Sequence, residues 1–163
     1  MPIVKIVILN WNGAEHLRRF LPSVVAAAPA GVEVMVADNG STDDSLRVLA
    51  TEFPSVGVLR LEANYGFAGG YNRALKQVEA DYYLLLNSDI ETPEGWLAPI
   101  LDVLEREPDV AVVSPKLISW TDRTKFEYAG ASGGFIDFLG YPFCRGRILR
   151  PVSYTHLTLP TIL

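Results

Sequence analysis

Short apolar runs rich in β-branched residues recur along the chain, separated by segments of mixed polarity. Each run is too short to form a stable helix, and strands buried on both faces of a sheet have this continuous apolar pattern. The pattern predicts five strands, at Ile3–Leu9, Val32–Ala37, Val56–Leu61, Tyr82–Leu86 and Val110–Ser114.

Four intervening segments place apolar residues at helical spacing, so each would present one apolar face. The predicted faces are Leu17, Phe20, Leu21, Val24, Val25 and Ala28; Leu46, Leu49 and Phe53; Phe67, Tyr71, Ala74, Leu75 and Val78; and Leu97, Ile100, Leu101 and Leu104. Pro22 is expected to kink or divide the first helix, because it lacks an N–H group. Ser41 or Thr42 is expected to cap the second helix, and Thr92, followed by Pro93, the fourth.

The alternation of strand and helix predicts an α/β, Rossmann-like domain whose mostly parallel central sheet has helices on both faces. This periodicity is lost after Pro115. Residues 116–150 are expected to be irregular apart from a hairpin. The final stretch, PVSYTHLTLPTIL, has neither periodicity nor a helix signal. We therefore predict a domain over residues 1–150 and a non-native tail over residues 151–163.

Length and composition narrow the class of protein. A chain of 163 residues fits one domain, and 49% hydrophobic with 20% charged residues is ordinary for a globular protein. No apolar run reaches the roughly 20 residues that cross a bilayer, so we expect no membrane span in this chain. A net charge of −5 argues against nucleic acid as a partner, because phosphate backbones are bound by clustered Lys and Arg.

The cysteine and histidine content and the N-terminus indicate the compartment. Cys144 is a single cysteine and forms no internal disulfide, while His16 and His156 are too far apart for a zinc motif. The N-terminus lacks a signal-peptide cleavage site. We predict a cytoplasmic protein, with peripheral association at the inner face of the membrane open to a full-length form.

Polar turns follow the first four predicted strands. In open parallel sheets, ligands bind outside the carboxyl ends of the strands, where such turns converge. Each turn also has a structural interpretation, because Asn, Gly, Ser and Asp are the usual residues of turns and caps. The four turns are Asn10–Gly13, Asp38–Asp44, Glu62–Gly70 and Asn87–Gly95.

Two carboxylates in these turns favour a functional interpretation. Asp38 is the first residue after its strand, and the turn beyond it has other polar residues, so its geometry does not require an acid. Asp89 closes a buried strand beside Asn87 and Ser88, where hard oxygen ligands suit Mg²⁺ or Mn²⁺ on a nucleotide diphosphate. A capping role for Asp89 is disfavoured on the expectation that Thr92 caps the next helix.

The glycine-rich stretch GFAGG in the third turn supports two interpretations. Its glycines would permit close packing or positive φ, or would let a diphosphate approach the backbone at a helix N-terminus. The dinucleotide-binding fingerprint is not met, because the stretch follows the third strand and the first turn has only Gly13.

Five segments in order resemble the inverting nucleotide-sugar glycosyltransferases of family two, with the GT-A fold, and within them the rhamnosyltransferase-like branch. The segments are VILNWNG, VADNGSTDDS, NYGFAGGYNRAL, YYLLLNSDIE and YAGASGGFIDFLGYPFCRGR, and the resemblance as a whole covers roughly Val4–Ile148. The resemblance implies transfer of a sugar from a nucleotide-diphospho-sugar donor to a saccharide or lipid-linked acceptor in cell-surface polysaccharide synthesis.

The resemblance also implies roles for seven residues of this chain. It implies that Asp38 contacts the base or ribose of the nucleotide and that Asn10 lies beside the nucleotide. Asn87-Ser88-Asp89 occupies the place of the DXD motif, which implies that Asp89 binds Mg²⁺ or Mn²⁺. The residues implied to line the nucleotide-sugar pocket are Asn10, Asp38, Gly66, Gly70, Asn72 and Asn87.

One departure from the family concerns the catalytic base, which in these enzymes is an acid in a later segment. Asp137 belongs to a motif before that segment, so we do not assign it as the base. We expect this chain to be the donor-binding part of the enzyme, inactive in transfer by itself. Two alternatives stay open: a non-catalytic nucleotide-sugar-binding module, and a sugar-phosphate nucleotidyltransferase, which would need a basic, glycine-rich turn after the first strand.

Overall fold

A computed structural model describes residues 2–125, together with the backbone of residues 134–136 and 142–144. The chain divides into two compact units, Met1–Leu97 and Ala98–Leu163. Residues 151–163, predicted to be a tail, lie outside the described residues, so the predicted domain limits stay a prediction. Within the described part, no helix has the length and apolar character needed to cross a membrane.

The first unit is built on a four-stranded parallel sheet with the strand order β3-β2-β1-β4. Its strands are Val4–Asn10 (β1), Glu33–Asp38 (β2), Gly57–Arg60 (β3) and Tyr82–Asn87 (β4). Four of the five predicted strands are therefore confirmed, with small changes at their ends. Because all four run in one direction, the turns that follow them lie at one edge of the sheet.

Helices cover both faces of this sheet, as predicted. The helices of the first unit are Ala14–Ala27 (α1), Ser45–Glu52 (α2) and Gly66–Leu75 (α3), and Ala98–Arg106 (α4) belongs to the second unit. One core joins α1 and α2 to the sheet through Ile6, Ile8, Leu17, Leu21, Val36, Val48 and Leu49, among others. The core on the opposite face joins α3 to the sheet through Val7, Met35, Ala37, Tyr71, Ala74 and Val78.

The apolar periodicity located most of the buried helix positions but not all of them. Phe67, predicted to face the core, is 66% exposed, and Val25 is exposed as well. Val48, which the predicted face of the second helix omits, is fully buried. Phe67 lies in the first turn of α3, and the buried residues of this helix begin only at Gly70.

Pro22 does not divide α1, which runs without a break from Ala14 to Ala27. The proline side chain is exposed, so its ring occupies the solvent face and the buried face of the helix is preserved. Ser23, the next residue, donates its hydroxyl to the carbonyl of Phe20 at 2.8 Å. The expectation of a divided helix was therefore wrong.

Both predicted helix caps were wrong. The second helix begins at Ser45, beyond Ser41 and Thr42. The Ser41 hydroxyl accepts from the backbone N–H of Asn12, and the Thr42 hydroxyl donates to Asn12 Oδ1 at 3.4 Å, so neither caps the helix. The fourth helix begins only at Ala98. A turn at residues 94–95, in which Gly95 has a φ of 73°, separates it from Thr92.

The predicted fifth strand, Val110–Ser114, is not formed, and the segment has only an isolated bridge residue at Val113. Val112 is 65% exposed, so the run lacks the covering layers that make a continuous apolar strand favourable. Pro115 follows directly and removes a backbone donor. In the second unit, Gly134–Ile136 (β5) and Pro142–Cys144 (β6) form an antiparallel pair, which confirms a hairpin in residues 116–150.

Candidate functional site

The carboxyl ends of the parallel strands bring the predicted polar turns to one edge of the sheet. Asn10 is in register with Asp38, and Asp38 is in register with Arg60. On the other side of β1, Leu9 is in register with Asn87. The convergence expected from the sequence is therefore present in the first unit.

Asn10 and Asp38 are in direct contact at the centre of this edge. The Asn10 side-chain amide donates to Asp38 Oδ2 at 3.2 Å, and the Ser41 backbone N–H donates to Asp38 Oδ1 at 2.9 Å. Asn10 is 0% and Asp38 1% exposed. Asp38 therefore holds the β2–α2 turn in place, a structural role that stands beside its predicted contact with the base or ribose.

Gly13 is required by the position of Asn10. A Cβ atom at Gly13 would lie 2.3 Å from Asn10 Oδ1 and 3.5 Å from Ser88 Oγ. Asn10 Oδ1 is buried and, among the described residues, has no hydrogen-bond donor. Because the amide nitrogen of Asn10 is held by Asp38 and by Ser41 Oγ at 3.3 Å, the side chain has no free direction in which to move.

The first two turns are fastened together by Asn12, which the sequence reasoning missed. Its Oδ1 accepts hydrogen bonds from the backbone N–H groups of Thr42 at 2.8 Å and Asp43 at 3.3 Å. Asn12 has a φ of 49°, a conformation that Asn adopts more readily than most residues. An asparagine one residue before a glycine in a turn was the available signal.

Asn39 joins the second turn to the third in a similar way. Its Oδ1 accepts from the Tyr65 N–H at 3.0 Å, and its amide donates to Asn64 Oδ1 at 3.0 Å and to the Gly66 carbonyl at 3.1 Å. Asn39 is 2% exposed. Gly66, predicted to line the pocket, is thus connected to the central residues through Asn39.

Gly70 packs closely beneath the same edge. A Cβ atom there would lie 2.9 Å from Leu9 Cδ1 and 3.0 Å from Asn39 Nδ2. This geometry explains Gly70 as a requirement of close packing, which was one of the two interpretations of the GFAGG stretch. A pocket-lining role for Gly70 stays a prediction.

Asp43 occupies the N-terminal ends of two helices. Its carboxylate accepts from the Ala14 N–H at 3.0 Å, at the start of α1, and from the Ser45 N–H at 3.0 Å, at the start of α2. Burial acts to raise the pKa of Asp43, but the hydrogen bonds from Ser45 and Ala14 outweigh it and lower this pKa below its ordinary value. The carboxylate therefore satisfies backbone donors that could otherwise bind a phosphate.

Tyr71 connects α3 to the two strands that carry Asn10 and Asn87. Its hydroxyl donates to the Leu86 carbonyl at 2.7 Å and accepts from the Leu9 N–H at 3.4 Å. Burial raises the pKa of Tyr71 to about 12, although the hydrogen bond from Leu9 acts in the opposite direction. The tyrosine stays neutral and fixes the spacing of β1 and β4 one residue before the polar turns.

Asn87 and Asp89 are exposed at the end of β4, and Ser88 is half-buried. Among the described residues, no group of three or more His, Cys, Asp or Glu side chains could hold a metal ion. Since Thr92 does not cap a helix, the reason for excluding a local structural role of Asp89 no longer holds. A metal here would need oxygen ligands from a bound nucleotide in addition to Asp89.

The remaining predicted residue, Asn72, lies exposed on α3, and in the described part of the chain it has no hydrogen bond to the edge residues. Two aromatic side chains that the site prediction omitted are exposed in the turns: Trp11 at 55% and Phe67 at 66%. The Phe67 ring packs edge-on against Tyr71, with 5.1 Å between ring centroids. Trp11 directly follows Asn10 in the first turn.

The family model described as Glycosyl transferase family 2 matches residues 5–151. A curated N-acetylglucosaminyl-diphospho-decaprenol L-rhamnosyltransferase of Mycobacterium tuberculosis is 28% identical over 124 residues, covering 69% of this chain and 40% of the relative. An undecaprenyl-phosphate 4-deoxy-4-formamido-L-arabinose transferase of Sodalis glossinidius is 33% identical over 115 residues, covering 66% of this chain and 35% of the relative.

Among solved structures, S. aureus TarS 1-349 in complex with UDP-GlcNAc matches with a TM-score of 0.56 and 25% identity. The match covers 64% of this chain and 32% of that one. The GT-A fold expected from the sequence is thereby confirmed. The chain spans 40% or less of the length of each of these three proteins.

Proposed function

The chain belongs to glycosyl transferase family 2, and from this premise we propose that its protein transfers a sugar from a nucleotide-diphospho-sugar to a saccharide or lipid-linked acceptor. The observation that carries the proposal is the convergence of Asn10, Asp38 and Asn87 at one edge of the sheet. A relative named for a diphospho-decaprenol substrate supports a lipid-linked acceptor, and TarS bound to UDP-GlcNAc supports the donor class. We place the reaction in cell-surface polysaccharide synthesis, at the cytoplasmic face of the membrane.

Donor binding begins with the nucleotide at the first two turns. The exposed ring of Trp11 provides a stacking surface for the base, while Asp38 contacts the base or ribose and Asn10 holds the Asp38 carboxylate in position. Gly66, Gly70 and the exposed Asn72 line the sugar-diphosphate side of this pocket in the proposal. Asp43 makes the N-terminus of α1 unfavourable for the diphosphate, which directs the phosphates toward the β4 end.

The side chains at the end of β4 have oxygen atoms that suit a divalent cation. Asp89 is an exposed carboxylate and Asn87 an exposed amide, so both offer hard oxygen atoms of the kind that Mg²⁺ and Mn²⁺ prefer. When bound, the metal would neutralise charge on the leaving diphosphate. Asp89 would hold the ion, and Asn87 would orient the diphosphate beside it.

The proposed reaction is inverting, so a base must take the proton of the acceptor hydroxyl as it attacks the anomeric carbon. We assign this role to no residue of the described part. The nucleotidyltransferase alternative is disfavoured by the Asp43 carboxylate at the start of α1, because it would repel a triphosphate at the first turn. The other alternative, a non-catalytic binding module, would have the same donor site but would not transfer the sugar.

The test of this function is calorimetric titration of the chain with uridine, thymidine and guanosine diphosphates, each with Mn²⁺ and with chelator. We expect a uridine or thymidine diphosphate to bind with Mn²⁺ and its sugar conjugate to compete for the same site. Absence of binding by all three nucleotides in the presence of Mn²⁺ would contradict the proposal. Nucleoside diphosphate release from the sugar conjugate separates an enzyme from a binding module.

A further inference from the structure

A cavity lies between the end of β3, the β3–α3 turn and the C-terminal part of α3, and neither Asn10 nor Asp38 lines it. It has a volume of about 400 Å³. Its lining contains three cations and one carboxylate, with two polar side chains and one leucine: Arg60, Arg73, Lys76, Glu62, Tyr65, Gln77 and Leu61. We call this cavity the basic groove; all of its residues belong to the first unit.

The basic groove concentrates unpaired positive charge on a protein whose net charge is −5. Arg60, Arg73 and Lys76 are exposed, and within the described part of the chain none lies at ion-pair distance from a carboxylate. Elsewhere, ion pairs hold Lys5, Arg18, Arg47, Arg106 and Lys125. Glu62, the one carboxylate of the lining, offsets part of this charge, so the lining side chains of the groove keep an excess of two positive charges.

Arg73 is held in place for contact with a ligand. Its guanidinium carbon lies 3.7 Å from the centroid of the Tyr65 ring, and Nη1 donates to the Gly69 carbonyl at 3.3 Å. Gln77 donates its amide to the Arg73 carbonyl at 3.2 Å. The Tyr65 ring and the Gly69 carbonyl restrict the guanidinium without neutralising it, so less conformational freedom is lost when an anion binds.

The C-terminus of α3 does not account for this cluster by itself. Basic residues near a helix C-terminus interact favourably with its exposed carbonyl groups, and this explains the presence of Arg73 and Lys76. Arg60, however, is the last residue of β3 and lies outside the helix. Strand and helix thus contribute cations to one cavity, an arrangement that matches an oxyanion with several negatively charged oxygens.

We propose that the basic groove binds the phosphate group of an anionic ligand, through residues other than those assigned to the donor. Arg73 binds the phosphate oxygens in a bidentate manner, and Arg60 and Lys76 supply further charge. The phosphate belongs either to a soluble compound or to a lipid headgroup. This inference does not depend on glycosyl transfer, because it rests on cations that the proposed donor site does not use.

The site connects physically to the donor edge. Tyr65, whose ring lies beneath Arg73, donates its backbone N–H to Asn39 Oδ1 at 3.0 Å, and Asn39 follows Asp38 directly. A phosphate bound at Arg73 would therefore lie next to the β3–α3 turn, which Asn39 links to the β2–α2 turn of the proposed nucleotide pocket.

The experiment has two arms on the whole chain at low ionic strength, where screening of exposed charges is weak. In the first, inorganic phosphate is titrated while backbone amide resonances are followed by NMR. In the second, sedimentation is measured with vesicles of phosphatidylcholine, with and without phosphatidylglycerol. Saturable shifts at Arg60, Arg73 and Lys76 indicate a soluble phosphate, and binding only to the anionic vesicles indicates a lipid headgroup.

Variants decide whether the groove is responsible. Arg73→Gln should weaken the observed binding about tenfold, and Tyr65→Leu, which leaves the charge unchanged, about threefold. Arg47→Gln is the matched control, because it removes the same charge from an arginine already paired with Asp44. No binding in either arm, or equal losses for Arg73→Gln and Arg47→Gln, would overturn the proposal. Thermal unfolding midpoints establish that the variants are folded.

Discussion

The side-chain amide of Asn10 donates to the carboxylate of Asp38 across the carboxyl ends of β1 and β2, and both residues are buried. The pair fastens two strands at the point where the polar turns begin. A carboxylate so placed has a structural role whether or not it also touches a nucleotide. The two roles make different predictions for the same substitution.

Asp38→Ala removes the acceptor of the Ser41 N–H and one of the two acceptors of the Asn10 amide. We expect the free energy of unfolding to fall by about 2 kcal/mol or more, because unpaired buried donors are costly. Denaturant unfolding measures this loss. Asp44→Asn, at an exposed carboxylate of the same turn, is the control and should change the free energy by less than about 1 kcal/mol.

Nucleotide affinity distinguishes a direct contact between Asp38 and the nucleotide from a purely structural role of Asp38. Asp38→Ala should weaken binding by roughly ten- to a hundredfold and leave the metal requirement intact. Asn10→Ala keeps the carboxylate but removes its support, so it should weaken binding less if Asp38 touches the nucleotide. Equal losses in the two variants would limit Asp38 to its structural role.

Nucleotide binding should require Mg²⁺ or Mn²⁺, because the Asp89 carboxylate would otherwise repel the diphosphate. Calorimetry with and without chelator measures the requirement, and Asp89→Asn should remove the benefit of metal. Glu79→Gln is the control, since Glu79 is an exposed acid before β4, at the opposite end of that strand. Equal affinity with metal and with chelator would exclude the ion from donor binding.

Two glycines should resist substitution for different physical reasons. At Gly13, an added Cβ meets Asn10 Oδ1 at 2.3 Å, so Gly13→Ala should displace Asn10 and lower both stability and nucleotide affinity. An added Cβ at Gly66 would meet no atom within 4 Å, but φ is 70°, so Gly66→Ala should cost only about 1–2 kcal/mol of backbone strain. Gly66→Asn should recover part of that loss, whereas no small side chain should be tolerated at Gly13.

Tyr71→Phe removes the hydrogen bond to the Leu86 carbonyl and should lower the free energy of unfolding by about 1–2 kcal/mol. It should also change the alkaline limit of stability. The pKa of Tyr71 is raised from 10.0 to about 12 by burial, so above pH 10 the unfolded chain releases this proton while the folded chain retains it. Stability from this group is therefore present below pH 10 and lost as the pH rises toward 12.

The measurement is urea unfolding between pH 8 and pH 11, in about half-unit steps, for the parent chain and Tyr71→Phe. The parent should lose stability more steeply above pH 10 than the variant. Parallel slopes would show that Tyr71 ionises equally easily in the folded and unfolded states.

Local sequence patterns were enough to predict four strands, the helices between them and the edge at which polar turns converge. These features follow from local repeats: apolar runs such as Ile6–Ile8 form buried strands, and helical spacing of residues such as Leu17, Leu21 and Val24 forms a buried face. Because the strands are parallel, the turns after them lie at one edge of the sheet, and this could be predicted without knowing any side-chain contact. Family membership followed from motif order in the same way.

The partners of the polar side chains, in contrast, come from segments that meet only in the folded chain. Asn10 and Asp38 are 28 positions apart, Asn12 and Ser41 are 29 apart, and Asn39 and Asn64 are 25 apart. No local pattern encodes these partners. The sequence therefore could not show that the Ser41 hydroxyl binds the backbone N–H of Asn12 and caps no helix. The run Val110–Ser114 failed as a strand for the same physical reason: a strand depends on partners and covering layers contributed by distant segments.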